Sequence, residues 1–178
     1  MTANRRTRSL RLGLALLALV SLLVAFVPSA SATAPYTCVS PNPASESHAQ
    51  APVRQAGPNT IVRDHAVTVV SDQCGVGTFT GDHTIIQFPN GDFQGHGSGV
   101  FSGAMVDSTG KPRAGSIEFR ASVHGSPVTE GRITVRLTFL SGTGTGGLAN
   151  LHGGGVEVVD TTTSPPSMPM VWQLHWDP

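Results

Sequence analysis

Between residues 115 and 140 the chain alternates apolar and polar side chains with few exceptions. Ile117, Phe119, Ala121 and Val123 interleave with Ser116, Glu118, Arg120 and Ser122. After the loop at 125–131, Ile133, Val135, Leu137 and Phe139 interleave with Arg132, Thr134, Arg136 and Thr138. Successive side chains leave opposite faces of a strand, so a period of two predicts an antiparallel hairpin with one buried face. Further strands are predicted at 61–70, 75–80, 84–88, 93–106, 153–160 and 170–176, with Gly81-Asp82-His83 read as a tight turn or bulge. Asn90-Gly91 is a strong hairpin signal. Leu148 and Leu151, three apart, fit one helical turn closing over an end of the sheet. Residues 33–59 hold five prolines and no periodicity, and read as a disordered Pro/Ser/Ala-rich arm. The pattern predicts an all-β fold: a single antiparallel closed β-barrel of about eight strands over residues 60–178, with a β-sandwich as the alternative.

The strand at 93–106 is unusual. Phe93, Gly95, Gly97, Gly99, Phe101, Gly103 and Met105 share one parity, so a row of glycines is expected to face inward. Glycine costs a strand entropy and packing, so such a row needs a reason. One reason is tight curvature, with large neighbours such as Trp172 and Trp176 filling the space. The other is room for a ligand.

Arg5, Arg6, Arg8 and Arg11 precede an apolar run at 12–27 and a small-residue site at Ala30-Ser31-Ala32. Residues 1–32 therefore read as a secretory signal peptide, and the protein as secreted. An uncleaved anchor is the alternative, for which the run is short. The Arg5-Arg6 pair also leaves the export route open between the general and the twin-arginine pathway. Cleavage leaves 146 residues with 7 basic and 11 acidic side chains. That balance has no basic stripe and argues against nucleic acid or an anionic membrane surface as partner. Cys38 and Cys74 both lie in the exported part, where an even pair reads as a disulfide; two free thiols are the alternative.

The stretch from Gly142-Thr143-Gly144 through Leu148-Ala149-Asn150-Leu151 to Gly153-Gly154-Gly155, with Phe79-Thr80-Gly81-Asp82 earlier, resembles motifs of a bacterial β-barrel family of unknown function. That family's fold is similar to the allene oxide cyclase barrel, within the broad calycin-like architecture of lipocalins and streptavidin. The resemblance spans residues 61–160 and implies a small barrel with an interior pocket. It brings no catalytic residue. Gly147 stands where the family commonly has an acidic or polar residue, a departure confined to a turn.

Chemistry-bearing motifs are sparse. His152-Gly153-Gly154-Gly155 matches an esterase oxyanion tetrad, but the chain has no Gly-x-Ser-x-Gly elbow, and the segment reads as a glycine-rich lead-in to a strand. The seven histidines show no local ligand spacing, so no metal and no cofactor is expected, although strands could bring His65 and His83 together. Asp64 and Asp82 interrupt apolar patterns and are the carboxylates expected to point inward or sit at a rim; a buried one would serve as an acid.

Three functions fit these observations. The first is a barrel that binds a small apolar molecule, lined by Phe93, Phe101, Met105, Phe119, Trp172 and Trp176. The second is an enzyme of the cyclase or isomerase type, in which a pocket folds a reactive substrate. The third is a filled barrel with no ligand that acts through its surface or its proline-rich arm. The first is preferred, and the balance leans away from an enzyme. Ligand identity and oligomeric state are not legible at this level.

Overall fold

The computed structural model describes residues 35–177. The expected signal peptide, 1–32, lies outside the described residues. Nine strands run in chain order: β1 (Tyr36–Ser40), β2 (Ser45–Ala56), β3 (Asn59–Asp72), β4 (Gly75–Gln87), β5 (Phe93–Val106), β6 (Pro112–Ser126), β7 (Arg132–Phe139), β8 (Leu151–Asp160) and β9 (Met170–Trp176). Among the described residues a single 3-10 turn, Gly146–Leu148, lies between β7 and β8 in chain order and buries Leu148. All strands belong to one antiparallel sheet, in the order β1-β9-β8-β7-β6-β5-β4-β3-β2. No helix among the described residues is long and apolar enough to cross a membrane.

The sheet is all-β and antiparallel, as the alternation predicts, but its hydrogen-bond ladder is not closed. The two edges are β1 and β2, which follow each other in the chain. Ser40 and Ser45 are five residues apart, a reach of about 18 Å at full extension, whereas nine strands laid flat would separate the edges by about 38 Å. The sheet must therefore roll until its edges approach. Side chains span the gap where the ladder does not. Cys38 of β1 is bonded to Cys74 at the β3–β4 turn, with Cα atoms 5.7 Å apart. The Gln73 amide, in the same β3–β4 turn, donates to the Val39 carbonyl of β1. A cross-link of this loop length stabilises by roughly 3–4 kcal/mol in the chain-entropy picture.

Two expectations are corrected. Residues 33–59 are not an arm from Tyr36 onward: they supply β1 and β2. β2 pairs with β3 through its backbone ladder and polar side chains and is exposed along its length, so it carries no apolar period. Its prolines avoid the cost of a missing N–H: Pro52 sits at a register shift, and Pro58 lies in the β2–β3 turn. Gly81-Asp82-His83 is neither turn nor bulge, because β4 pairs without a break with β3 and β5 through it. The polar residues there misled the pattern: Asp82 keeps the outer parity and His83 the inner one. With these changes, eight expected strands become nine.

The core sits on the concave side. Phe79, Phe101, Met105, Ile117, Phe139, Leu148, Leu151, Trp172, Leu174 and Trp176 form one buried cluster at one end. Trp172 Nε1 donates to Ser40 Oγ at 3.0 Å, which satisfies the indole inside that cluster. At the same end Asp107, which opens the β5–β6 turn, is buried. Its carboxylate accepts from the Thr109 hydroxyl, from Arg113 and from two backbone N–H groups, and these hold its pKa far below the usual range.

Candidate functional site

The other end of the concave side is hollow. A cavity of about 370 Å³ is walled by Ile85, Phe93, Val123, Ile133, Val135 and Val159, with Phe79, Phe119 and Met170 as its floor. That volume lies in the range of small-molecule sites. One corner is polar: Glu46 and His48 come from β2, Asp64 from β3, His83 from β4 and Glu157 from β8.

The glycine row decides where filled ends and hollow begins. Its residues face inward, as their parity with Phe101 and Met105 requires. Side chains of neighbouring strands occupy the space over them. A methyl group at Gly97 would fall on His83 Cδ2; one at Gly99 would lie 2.7 Å from Phe119 Cζ. The row thus serves curvature and filling, and its fillers are His83, Ile85, Phe101 and Phe119. Trp172 fills a different gap, over Gly155, where a methyl would lie 2.6 Å from its ring.

Pairing in the polar corner is specific. His48 Nδ1 lies 2.8 Å from Asp64 Oδ2, and His48 Nε2 lies 3.5 Å from Glu46 Oε1. The Glu46 carboxylate, then the neighbouring Asp64, raise the His48 pKa to about 9 against the opposing effect of burial, so this ring is an imidazolium at neutral pH. Its proton in turn lowers the pKa of Glu46. His83 lies deeper, 3.9 Å from Asp64 Oδ2, and burial lowers its pKa, so it is neutral. Glu157 is 4% exposed. Burial, reinforced by the negative charge of Glu46, pushes its pKa up to about 8, so it is a protonated carboxyl at neutral pH. Glu46 and His48 act on Glu157 although six ladder steps separate β2 from β8, because the rolled sheet brings them across the hollow.

Two buried polar atoms are left without a hydrogen-bond partner here, Asp64 Oδ1 and His83 Nδ1. Such atoms are costly unless something meets them. Chemically, the corner offers a proton donor, an acceptor and a fixed ion pair beside apolar walls, where electrostatic effects are stronger than in water.

The residues singled out from sequence divide accordingly. Asp64 is in the corner, 3% exposed. Asp82 is on the outer face, 87% exposed in its side chain and 2.9 Å from His65, a solvated pair of little energetic weight. Asp64 and His83 are paired in register, as are His65 and Asp82, so the two histidines end on opposite faces. Phe93 and Phe119 border the cavity. Phe101, Met105, Trp172 and Trp176 lie in the packed end. The sequence reading missed Glu46 and His48, hidden in the supposed arm, where a polar period of two through Glu46, His48 and Gln50 was the available signal. Glu157 was obscured because Val156, Val158 and Val159 make both faces of β8 apolar. No group of three or more candidate metal ligands occurs among the described residues.

A second arrangement lies at the packed end. Ser141 Oγ is 2.8 Å from His152 Nδ1, and His152 Nε2 is 2.9 Å from Asp177 Oδ2. The residue types are those of a nucleophilic triad, but the ring nitrogens are exchanged, since a triad serine bonds Nε2 and its carboxylate Nδ1, and Ser141 and Asp177 are exposed, where water competes for the same hydrogen bonds. Its evident effect is to tie the loop after β7 to the residue after β9.

No protein-family model matches the chain, and no curated protein matches it. Among solved structures, a protein of unknown function from the DUF3224 family of Shewanella oneidensis MR-1 is similar, with a TM-score of 0.59 and 11% identity. The alignment covers 82% of this chain and 100% of that one. At that identity the likeness is one of fold.

Proposed function

We propose that the protein binds one small, largely apolar molecule in the hollow end of its rolled sheet. The observation that carries this is the cavity itself: about 370 Å³ with apolar walls and a single polar corner. Apolar walls with a few convergent polar groups are the usual make-up of a small-molecule site. In this reading the sheet works as a barrel whose seam, between β1 and β2, is bridged by the disulfide and the Gln73–Val39 hydrogen bond. Phe93 and Phe119 are the aromatic contacts to the ligand. The cavity also separates this reading from that of a barrel filled by its own side chains. The disulfide fits a protein exported after cleavage near residue 32.

The test is native mass spectrometry of the purified protein and of Ala66→Trp, which places an indole in the cavity wall. The wild type is expected to carry a small-molecule adduct that denaturation releases, and the variant is expected to lack it. A wild type without adduct that also fails to take up 1-octanol would overturn the reading.

A second reading, an isomerase or cyclase acting by proton transfer, is favoured by one observation. Glu157 as a protonated carboxyl and His83 as a neutral ring with a free Nδ1 face the same cavity. Turnover lost in both Glu157→Gln and His83→Phe, with ligand binding retained, is the result that would move the assignment to an enzyme.

A further inference from the structure

Resting on the reading that the cavity takes a small molecule, we infer that its preferred occupant is an amphipathic amine, an apolar body whose ammonium head sits between Asp64 and Glu157. The walls specify the body, and the polar corner specifies the head.

Consider first what the corner lacks. Asp64 Oδ2 accepts from His48, but Asp64 Oδ1 is buried with no partner and can only be met by a donor. His83 Nδ1 is also buried and unmet. A carboxylate head offers no hydrogen to Asp64 Oδ1, an alcohol offers one, and an ammonium offers three.

Charge points the same way. The groups facing the cavity are Glu46 and His48 from β2, Asp64 from β3, His83 from β4 and Glu157 from β8. Three of these five are carboxyl groups, and the one cation, His48, is already held between Glu46 and Asp64. An anionic head would meet carboxylates with no free cation to balance it. An ammonium would supply the positive charge that lets Glu157 ionise, forming a buried pair where a lone carboxylate is disfavoured. Binding should then expel one proton: Glu157 gives up its carboxyl hydrogen to solvent while the amine keeps its own.

The experiment is isothermal titration of the purified protein at pH 7 with 1-octylamine, 1-octanol and sodium octanoate, three probes of one chain length. Each titration is run in two buffers of different ionisation enthalpy. Octylamine is expected to bind at least tenfold more tightly than octanol, with octanoate weakest. It should release close to one proton per molecule, whereas octanol should release none. In Glu157→Gln the release should vanish. Octanoate binding as tightly as octylamine, or octylamine binding with no proton released, would overturn the inference while leaving the cavity a binding site. Failure of all three probes to bind would overturn the binding reading with it.

Discussion

Phe79 on β4 and Trp172 on β9 stack with ring centroids 5.5 Å apart and planes 14° from parallel, although five ladder steps separate their strands. In a flat sheet those strands would be about 24 Å apart. The stack therefore measures how far the sheet has rolled. Phe139, 6.0 Å from the same indole, extends it. These rings form the boundary between the packed end and the hollow one.

Removing the indole should show what holds that boundary. Trp172→Ala deletes a side chain that is 1% exposed and leaves Ser40 Oγ without its donor. A loss of about 3–5 kcal/mol is expected from large-to-small truncation in a core. Urea unfolding followed by far-ultraviolet circular dichroism would measure it. Phe93→Ala at the hollow end should cost clearly less, because Phe93 already borders empty space.

Glu157 should give the protein a stability that falls as pH rises. Its folded pKa, about 8, lies above the 4.5 of an unburied glutamate. The folded state thus holds a proton that the unfolded chain has released across that interval. The stabilisation is complete below the unfolded pKa and is lost as pH rises through the folded one, with a slope of at most about 1.4 kcal/mol per pH unit. Glu157→Gln should flatten this dependence between pH 5 and 8 and be more stable than the wild type at pH 8. His48 acts with the same sign over a higher interval, up to about 9, so some slope should survive in the variant. His83, whose pKa is lowered, acts oppositely, its contribution being lost as pH falls. Thermal melts at half-unit pH steps provide the measurement.

Gly97 and His83 should be energetically coupled. A methyl at Gly97 would collide with the imidazole edge and with the Asp82 carbonyl. Gly97→Ala is expected to destabilise by roughly 1–3 kcal/mol, the usual cost of overpacking. Part of that loss should be recovered in Gly97→Ala/His83→Ala, since the ring is then gone. A double-mutant cycle by urea unfolding would report the coupling.

How far the sequence spoke depended on which force shaped each segment. β5, β6, β7 and β9 bury one face and leave the other in water, so period two marked them closely; β5 and β9 agree residue for residue with the expected 93–106 and 170–176. β2 buries no apolar side chain; its backbone ladder to β3 leaves no mark in the sequence, and its one pattern is the polar alternation of Glu46, His48 and Gln50. Reading it as an arm concealed Glu46 and His48, and with them two of the five residues of the polar corner. Asp64 was legible because a carboxylate at an apolar parity is conspicuous. Asp82 interrupts the same kind of run but keeps the outer parity, which only the unbroken course of β4 makes plain. The hollow itself was not legible, since it depends on how far the sheet rolls and on which glycines neighbouring rings cover.

The central claim is that the hollow end admits a small apolar molecule, and methyl-resolved NMR during a 1-octanol titration tests it most directly. Saturable shifts at the methyls of Ile85, Ile133, Val135 and Val159, with the exposed Val53 and Val128 unmoved, are the predicted result. Shifts that never saturate, or that appear equally at Val53 and Val128, would contradict it.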